Sequence, residues 1–125
     1  MNNILLADDE KNIALTLKKR LSRAGYSVSV TSDGVETLNS CLEEDWALVL
    51  LDLRLPKMDG FMVLEALEKE NRLADLPIVI VSASSNEDDI EKAKKMGARD
   101  YLIKPIESED LLESVEKYKK EDTNE

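Results

Sequence analysis

Short apolar runs recur along the chain: Ile4 to Ala7, Tyr26 to Val30, Ala47 to Leu51, Ile78 to Val81 and Tyr101 to Ile103. Each is too short for a stable helix, and most are rich in Leu or β-branched residues, so each reads as a strand. Amphipathic stretches lie between them. Ala14, Leu17, Leu21 and Ala24 follow helical spacing and share one face. Val35, Leu38 and Leu42 repeat that spacing, as do Leu64 with Leu67, Ile90 with Ala93, and Leu111, Leu112, Val115 and Tyr118. The order is therefore strand then helix, five times over. Such alternation predicts a parallel sheet covered by helices on both faces. The run Tyr26-Ser27-Val28-Ser29-Val30 alternates as a half-exposed edge strand should, whereas the first, third and fourth runs are apolar throughout, as central strands should be. A doubly wound sheet in the order 2-1-3-4-5 suits that pattern. Turn chemistry agrees: Gly25 and Gly97 can close helices, and Asp33-Gly34 and Asp59-Gly60 can open them.

Composition narrows the chemistry. The chain has 125 residues, enough for one domain with a real core, and 17 − 27 gives a net charge of −10. An acidic balance argues against nucleic-acid binding, which needs clustered Lys and Arg. Histidine is absent, which removes Ser-His-Asp triads, His-ligated metals and a phosphohistidine on this chain. The lone Cys41 cannot form an internal disulfide; it is expected on the second helix as an ordinary small side chain, and Met58 and Met62 as packing residues. No signal peptide or membrane span is visible, so the expected location is the cytoplasm. What chemistry remains must run on Asp, Glu, Lys, Ser or Thr.

In open parallel sheets, ligands bind beyond the carboxyl ends of the strands. The residues there are Asp8-Asp9 after the first run, Asp52 after the third, Ser82 after the fourth and Lys104 after the fifth. Three carboxylates about 4 Å apart would repel by about 4 kcal/mol per pair at an effective dielectric near ~20, so they call for a cation. An all-oxygen set with few carboxylates suits Mg2+ or Mn2+. With Lys104 and one divalent ion, the charges of Asp8, Asp9 and Asp52 sum to zero.

Four blocks make the chain recognisable: Leu5-Leu6-Ala7-Asp8-Asp9-Glu10, Leu50 through Gly60, Val79-Ile80-Val81-Ser82-Ala83, and Gly97 through Pro105. In this order and spacing they resemble the receiver domain of two-component response regulators, of the single-domain chemotaxis-regulator kind. The resemblance implies a flavodoxin-like three-layer (βα)5 sandwich over residues 1–120, followed by a polar tail over 121–125. It implies a phosphoacceptor signalling domain rather than an enzyme acting on other substrates. Asp52 would become an aspartyl phosphate in a Mg2+-dependent (or Mn2+-dependent) transfer from a sensor histidine kinase or a histidine phosphotransfer protein. Asp8, Asp9, Asp52 and the main-chain carbonyl of Arg54 would hold the metal. Lys104 and Ser82 would contact the phosphoryl oxygens. Ser82 and Tyr101 would form the switch, and the Lys104-Pro105 bond would be cis. Arg54 and Ser84 would tune water attack on the acyl phosphate. A downstream protein would be met through the fourth helix, fifth strand and fifth helix, with no direct contact to nucleic acid or membrane. As presented, the length is expected to leave no space for an output domain, and the missing histidines imply that phosphate would arrive in trans.

The match has departures. Ser82 stands where threonine is commoner. Arg99 and Ser114 stand where winged-helix regulators often carry an acidic residue and an arginine, so their symmetric dimerisation is not implied. Arg54 occupies the place of the second aspartate that aspartate-dependent phosphohydrolases need, and Asp8-Asp9-Glu10 replaces the hydroxyl-rich loop of a flavodoxin. Two alternatives stay open: a phosphorylation-independent interaction module on the same fold, and the excised receiver of a longer regulator or hybrid kinase.

Leu15 lies well off the apolar stripe of the first helix. Because the family docks its kinase beside that helix and the loop after strand five, Leu15, Ile13 and Ile106 are candidate contacts. Leu15→Ala is expected to slow phosphotransfer from the cognate kinase; an unaltered transfer rate would remove Leu15 from the interface.

Overall fold

The computed structural model describes residues 1–121, and residues 122–125 of the expected polar tail lie outside them. Five strands alternate with five helices: β1 Asn3–Ala7, α1 Lys11–Arg23, β2 Ser27–Thr31, α2 Gly34–Glu43, β3 Leu48–Leu51, α3 Gly60–Lys69, β4 Ile78–Ser82, α4 Glu87–Lys95, β5 Asp100–Ile103 and α5 Ser108–Tyr118. The strands form one sheet in the order β2-β1-β3-β4-β5, and every neighbouring pair is parallel.

The uniformly apolar strands feed two cores, because successive side chains point to opposite faces. Leu5, Val49, Leu51, Ile78 and Ile80 pack with Cys41, Val63, Leu64, Leu67 and Ala93, so α2, α3 and α4 cover one face. Ile4, Leu6, Leu48, Leu50, Val79 and Val81 pack with Ala14, Leu17, Leu21, Leu111 and Val115, so α1 and α5 cover the other. The result is three layers.

Some expectations are corrected. The second strand begins at Ser27, one residue later than its apolar run. Gly25 takes φ 99°, and Tyr26 N–H donates to the Leu21 carbonyl at 3.1 Å, so Tyr26 closes the end of α1 instead of joining the sheet. Ala24 is exposed for the same reason, since the chain has left the helix there. On α2 the buried side is Gly34, Thr37 and Cys41; Leu38 is half-buried, while Val35 and Leu42 are largely exposed. Thr37 can face inward because its hydroxyl meets that of Thr31 at 2.7 Å, so neither polar group is stranded. Cys41 is fully buried, and desolvation pushes its thiol up to about 12. Met62, expected to pack, is 49% exposed.

Helix openings follow the sequence. Asp33 accepts from Glu36 N–H at 2.8 Å and Asp59 from Met62 N–H at 2.9 Å, each capping its helix. The glycine after each cap lets backbone approach backbone. A Cβ built on Gly34 would lie 2.5 Å from Met58 Cβ and 2.6 Å from its carbonyl carbon, and one on Gly60 would lie 2.7 Å from the Asp52 carbonyl oxygen. Gly34→Ala is therefore expected to destabilise the domain by about 3 kcal/mol, and to lower Tm by about 10 °C. Calorimetry checks this; an unchanged Tm would show that the loop carrying Met58 yields freely.

Candidate functional site

The carboxyl ends of β1, β3, β4 and β5 meet at one edge of the sheet. Parallel pairing aligns Ala7 with Leu51 and Ser82 with Ile103, so the residues that follow are brought level. Asp52 N–H donates to the Ala7 carbonyl at 3.1 Å, and Lys104 N–H to the Ser82 carbonyl at 2.8 Å, extending the ladder into the site.

Carboxylate oxygens of Asp8, Asp9 and Asp52 all lie within 4.8 Å of one another. Asp8 and Asp52 are buried and Asp9 is exposed. Lys104 Nζ sits 2.9 Å from Asp8 Oδ2 and 2.9 Å from Asp52 Oδ2, with its side chain only 9% exposed. The remaining oxygens are also tied. Asp8 Oδ1 accepts from Glu10 N–H at 2.9 Å, and Asp52 Oδ1 accepts from Arg54 N–H at 3.1 Å. Each buried carboxylate is thus fixed by one ammonium and one backbone amide two residues further on. Burial alone would push the lysine pKa down. Hydrogen bonds and Coulomb attraction from Asp8 and Asp52 outweigh that and raise it above the ordinary lysine value.

The donor set tests whether a metal fits. It is all oxygen, carries more negative charge than Lys104 neutralises, and has its third carboxylate open to solvent. Those properties suit a hard, partly hydrated divalent cation.

Ser82 is fully buried, and its Oγ accepts from Ser84 N–H at 3.2 Å. Tyr101 is turned inward, and its hydroxyl donates to the Ser84 carbonyl at 2.8 Å. The Lys104–Pro105 peptide bond is cis. Arg54 is exposed and Ser84 half-buried. Ile13 and Ile106 share a groove of ≈ 470 Å³ that runs between α1 and the loop after β5 and reaches Lys104; Leu15, 52% exposed, is not in its lining.

Sequence reasoning missed the residues that brace these loops. Arg20 on α1 donates to the Ile106 carbonyl at 2.8 Å, pinning the segment that follows Lys104. Asp89 on α4 accepts from Ser84 Oγ at 2.7 Å. The Arg20 bond has no local signal, because its partner lies 86 residues away; the Ser84–Asp89 pair is close in sequence, but a serine and an aspartate at a helix start read only as ordinary capping chemistry.

Comparison with known proteins agrees with this geometry. The family model for the response regulator receiver domain matches residues 4–116. Similar curated proteins include the transcriptional regulatory protein GltR of Pseudomonas aeruginosa, 39% identical over 90% of this chain and 47% of its own length. The DNA-binding dual master transcriptional regulator RpaA of Synechocystis is 36% identical over 92% of this chain and 48% of its own. Among solved structures, the receiver domain of the Francisella response regulator 1452 superposes with TM-score 0.86 at 30% identity, covering 93% of this chain and 94% of that one. The receiver domain of sensor histidine kinase PA1611 from Pseudomonas aeruginosa, solved with a magnesium ion in its active-site cleft, gives TM-score 0.86 at 26% identity, covering 94% and 96%.

An open parallel sheet with acids and one lysine at its carboxyl edge places the domain in the doubly wound α/β class, with its candidate site where that class binds ligands. The chain belongs to the response regulator receiver domain family. It spans about half the length of these transcriptional relatives.

Lys104 also predicts a pH dependence. Its folded pKa lies above the unfolded value, so its stabilisation is fully present below about pH 10.4 and is lost as pH rises through the folded pKa. In a chelator-treated sample at neutral pH, Lys104→Met is expected to cost about 3 kcal/mol, because Asp8 and Asp52 then face each other without a counter-charge. The gap to wild type should narrow on the alkaline side, as measured by urea unfolding at several pH values. A gap unchanged with pH would mean that packing of the lysine stem accounts for it.

Proposed function

We propose that Asp52 accepts a phosphoryl group from a sensor histidine kinase or a histidine phosphotransfer protein. The receiver, residues 1–120, then passes the signal to a downstream protein through its α4–β5–α5 face. The observation that carries this reading is the Lys104 ammonium held 2.9 Å from both Asp8 and Asp52 beside a third carboxylate.

Asp52 is the acceptor on grounds of placement. It follows the central strand β3, its Oδ1 is held by Arg54 N–H, and its Oδ2 faces Lys104. As a carboxylate it needs no general base, which suits a chain without histidine. In the transfer, a bond forms between an Asp52 oxygen and phosphorus as the P–N bond of the donor's phosphohistidine breaks, and the electron pair leaves with the imidazole. Lys104 stays protonated and moves its hydrogen bond from Asp52 to a phosphoryl oxygen, offsetting charge where it accumulates. Asp8, Asp9, Asp52 and the Arg54 carbonyl would hold Mg2+ (or Mn2+), which when bound offsets the charge of the carboxylates and of the incoming group.

Ser82 gives the switch its handle. Its hydroxyl can donate to a phosphoryl oxygen, drawing the loop after β4 toward Asp52. Tyr101, already turned inward, occupies the place that such a shift favours. The phosphoryl group can move this equilibrium only by its differential contacts in the two states. Arg54, exposed and bonded through its N–H to Asp52, and Ser84, bonded through its N–H to Ser82, would set the access of water. Ile13 and Ile106, which line the groove beside Lys104, would meet the docked donor, with Leu15 as an outlying contact.

The partner on the output side is a protein. The net charge of −10 disfavours nucleic acid as a direct ligand, and no helix among the described residues is long and apolar enough to cross a membrane. In this reading the domain catalyses only its own phosphorylation and dephosphorylation, and it works in the cytoplasm, where the kinase domains that feed it reside.

Labelling by a small phosphodonor is expected to require Mg2+, to be abolished by Asp52→Asn, and to fall at least tenfold in Lys104→Ala. Intact mass spectrometry with a gain of one phosphoryl group reads the result. A wild-type protein that takes no label would favour the phosphorylation-independent interaction module.

A further inference from the structure

Ser84 joins more of the site than any neighbour in its loop. Its N–H donates to Ser82 Oγ at 3.2 Å, and its carbonyl accepts from the Tyr101 hydroxyl at 2.8 Å. Its own hydroxyl donates to Asp89 Oδ2 at 2.7 Å and accepts from Asn86 N–H at 3.2 Å. Every polar group of Ser84 is therefore engaged. Three of those bonds lead to elements the proposed switch uses: the site hydroxyl, the inward tyrosine and helix α4.

Asp89 is the anchor of this set. Glu87, Asp88 and Asp89 fill the first turn of α4, where negative charge is favoured. Glu87 and Asp88 are exposed, whereas Asp89 is half-buried and turned to Ser84. A charge-assisted bond from a hydroxyl to a carboxylate is among the stronger hydrogen bonds, so it can hold a loop that has few apolar contacts. If Ser84 lost this tether, its carbonyl would no longer be fixed under the Tyr101 hydroxyl, and the ring would lose the polar contact that rewards its inward position.

We infer that Asp89 is a positioning residue which, through Ser84, holds Tyr101 in its buried place and so biases the domain toward the arrangement that a phosphoryl group on Asp52 stabilises. This rests on the reading of Asp52 as the acceptor. Asp89 touches neither Asp52 nor Lys104; its effect runs through one hydrogen bond. Linkage then requires that loss of the bond weaken binding of a phosphoryl analogue and that the analogue in turn strengthen the Tyr101 contact.

Beryllofluoride with Mg2+ serves as the probe, read by titration calorimetry, with the Tyr101 ring followed by aromatic NMR. Asp89→Ala is expected to weaken apparent affinity roughly fivefold and to shift the ring resonances toward an exposed environment. Asp89→Asn, which keeps an acceptor oxygen, should restore most of both. In a Ser84→Ala background, Asp89→Ala should have no further effect. An equal loss in both backgrounds would assign the effect to helix charge and overturn the inference, as would unaltered binding and ring shifts in Asp89→Ala. If wild type binds no beryllofluoride, or if Asp52→Asn binds it equally well, the reading of Asp52 fails and takes this inference with it; wild-type binding abolished by Asp52→Asn, with Asp89→Ala unaffected, rejects the role of Asp89 alone.

Discussion

One buried ammonium between two buried carboxylates sets the terms for the rest of this molecule. Lys104 leaves the edge strand β5, yet its partners Asp8 and Asp52 follow β1 and β3, with β4 in between. The side chain must cross the end of β4 to reach them, where the fully buried Ser82 stands. Charges removed from water this far are tolerable only when each is paired and hydrogen-bonded. The backbone amides of Glu10 and Arg54 complete that requirement. A shift of any of the three strands by one residue would turn a carboxylate or the lysine away from the cluster. The register of the sheet and the chemistry of its edge are therefore one constraint.

That linkage explains why so much was legible in the sequence. A polar residue at the end of an unbroken apolar run is visible without a structure, and Asp52 after Leu48–Leu51 is such a case. The central strands announced themselves because both faces are covered, so no polar residue interrupts them. The same reasoning failed on α2. There the inward side is built from Gly34, Thr37 and Cys41, and at Gly34 the backbone of Met58 lies too close for any side chain. Hydropathy ranks Val35 and Leu42 above Thr37, but it cannot see that Thr31 offers Thr37 a partner. β2 starts one residue after its apolar run for a related reason: Tyr26 is apolar and buried, yet its amide is spent on the turn that ends α1. Bonds such as Arg20 to the Ile106 carbonyl leave no trace in local sequence at all.

The helices are not held equally. α1, α3 and α5 each bury at least three residues against the sheet, whereas α4 buries only Ala93 completely, with Ile90 partly covered. Its remaining surface is charged, and Lys92 lies over the Phe61 ring at 4.3 Å. Elements with few buried apolar contacts open and shift at the lowest free-energy cost. The loop that precedes α4 is also the one wired to Ser82 and Tyr101 through Ser84. A displacement of Ser82 of the order of a hydrogen-bond length would be resisted by the tightly packed ends of β1 and β3, which sit in the core. It would be absorbed at α4, where little apolar surface needs to be repacked. The rigid side of the site and the compliant side thus follow from the same distribution of buried residues. On the proposed reading of Asp52 as the acceptor, a charge event there would be converted into a change of surface at the face carrying α4 and β5.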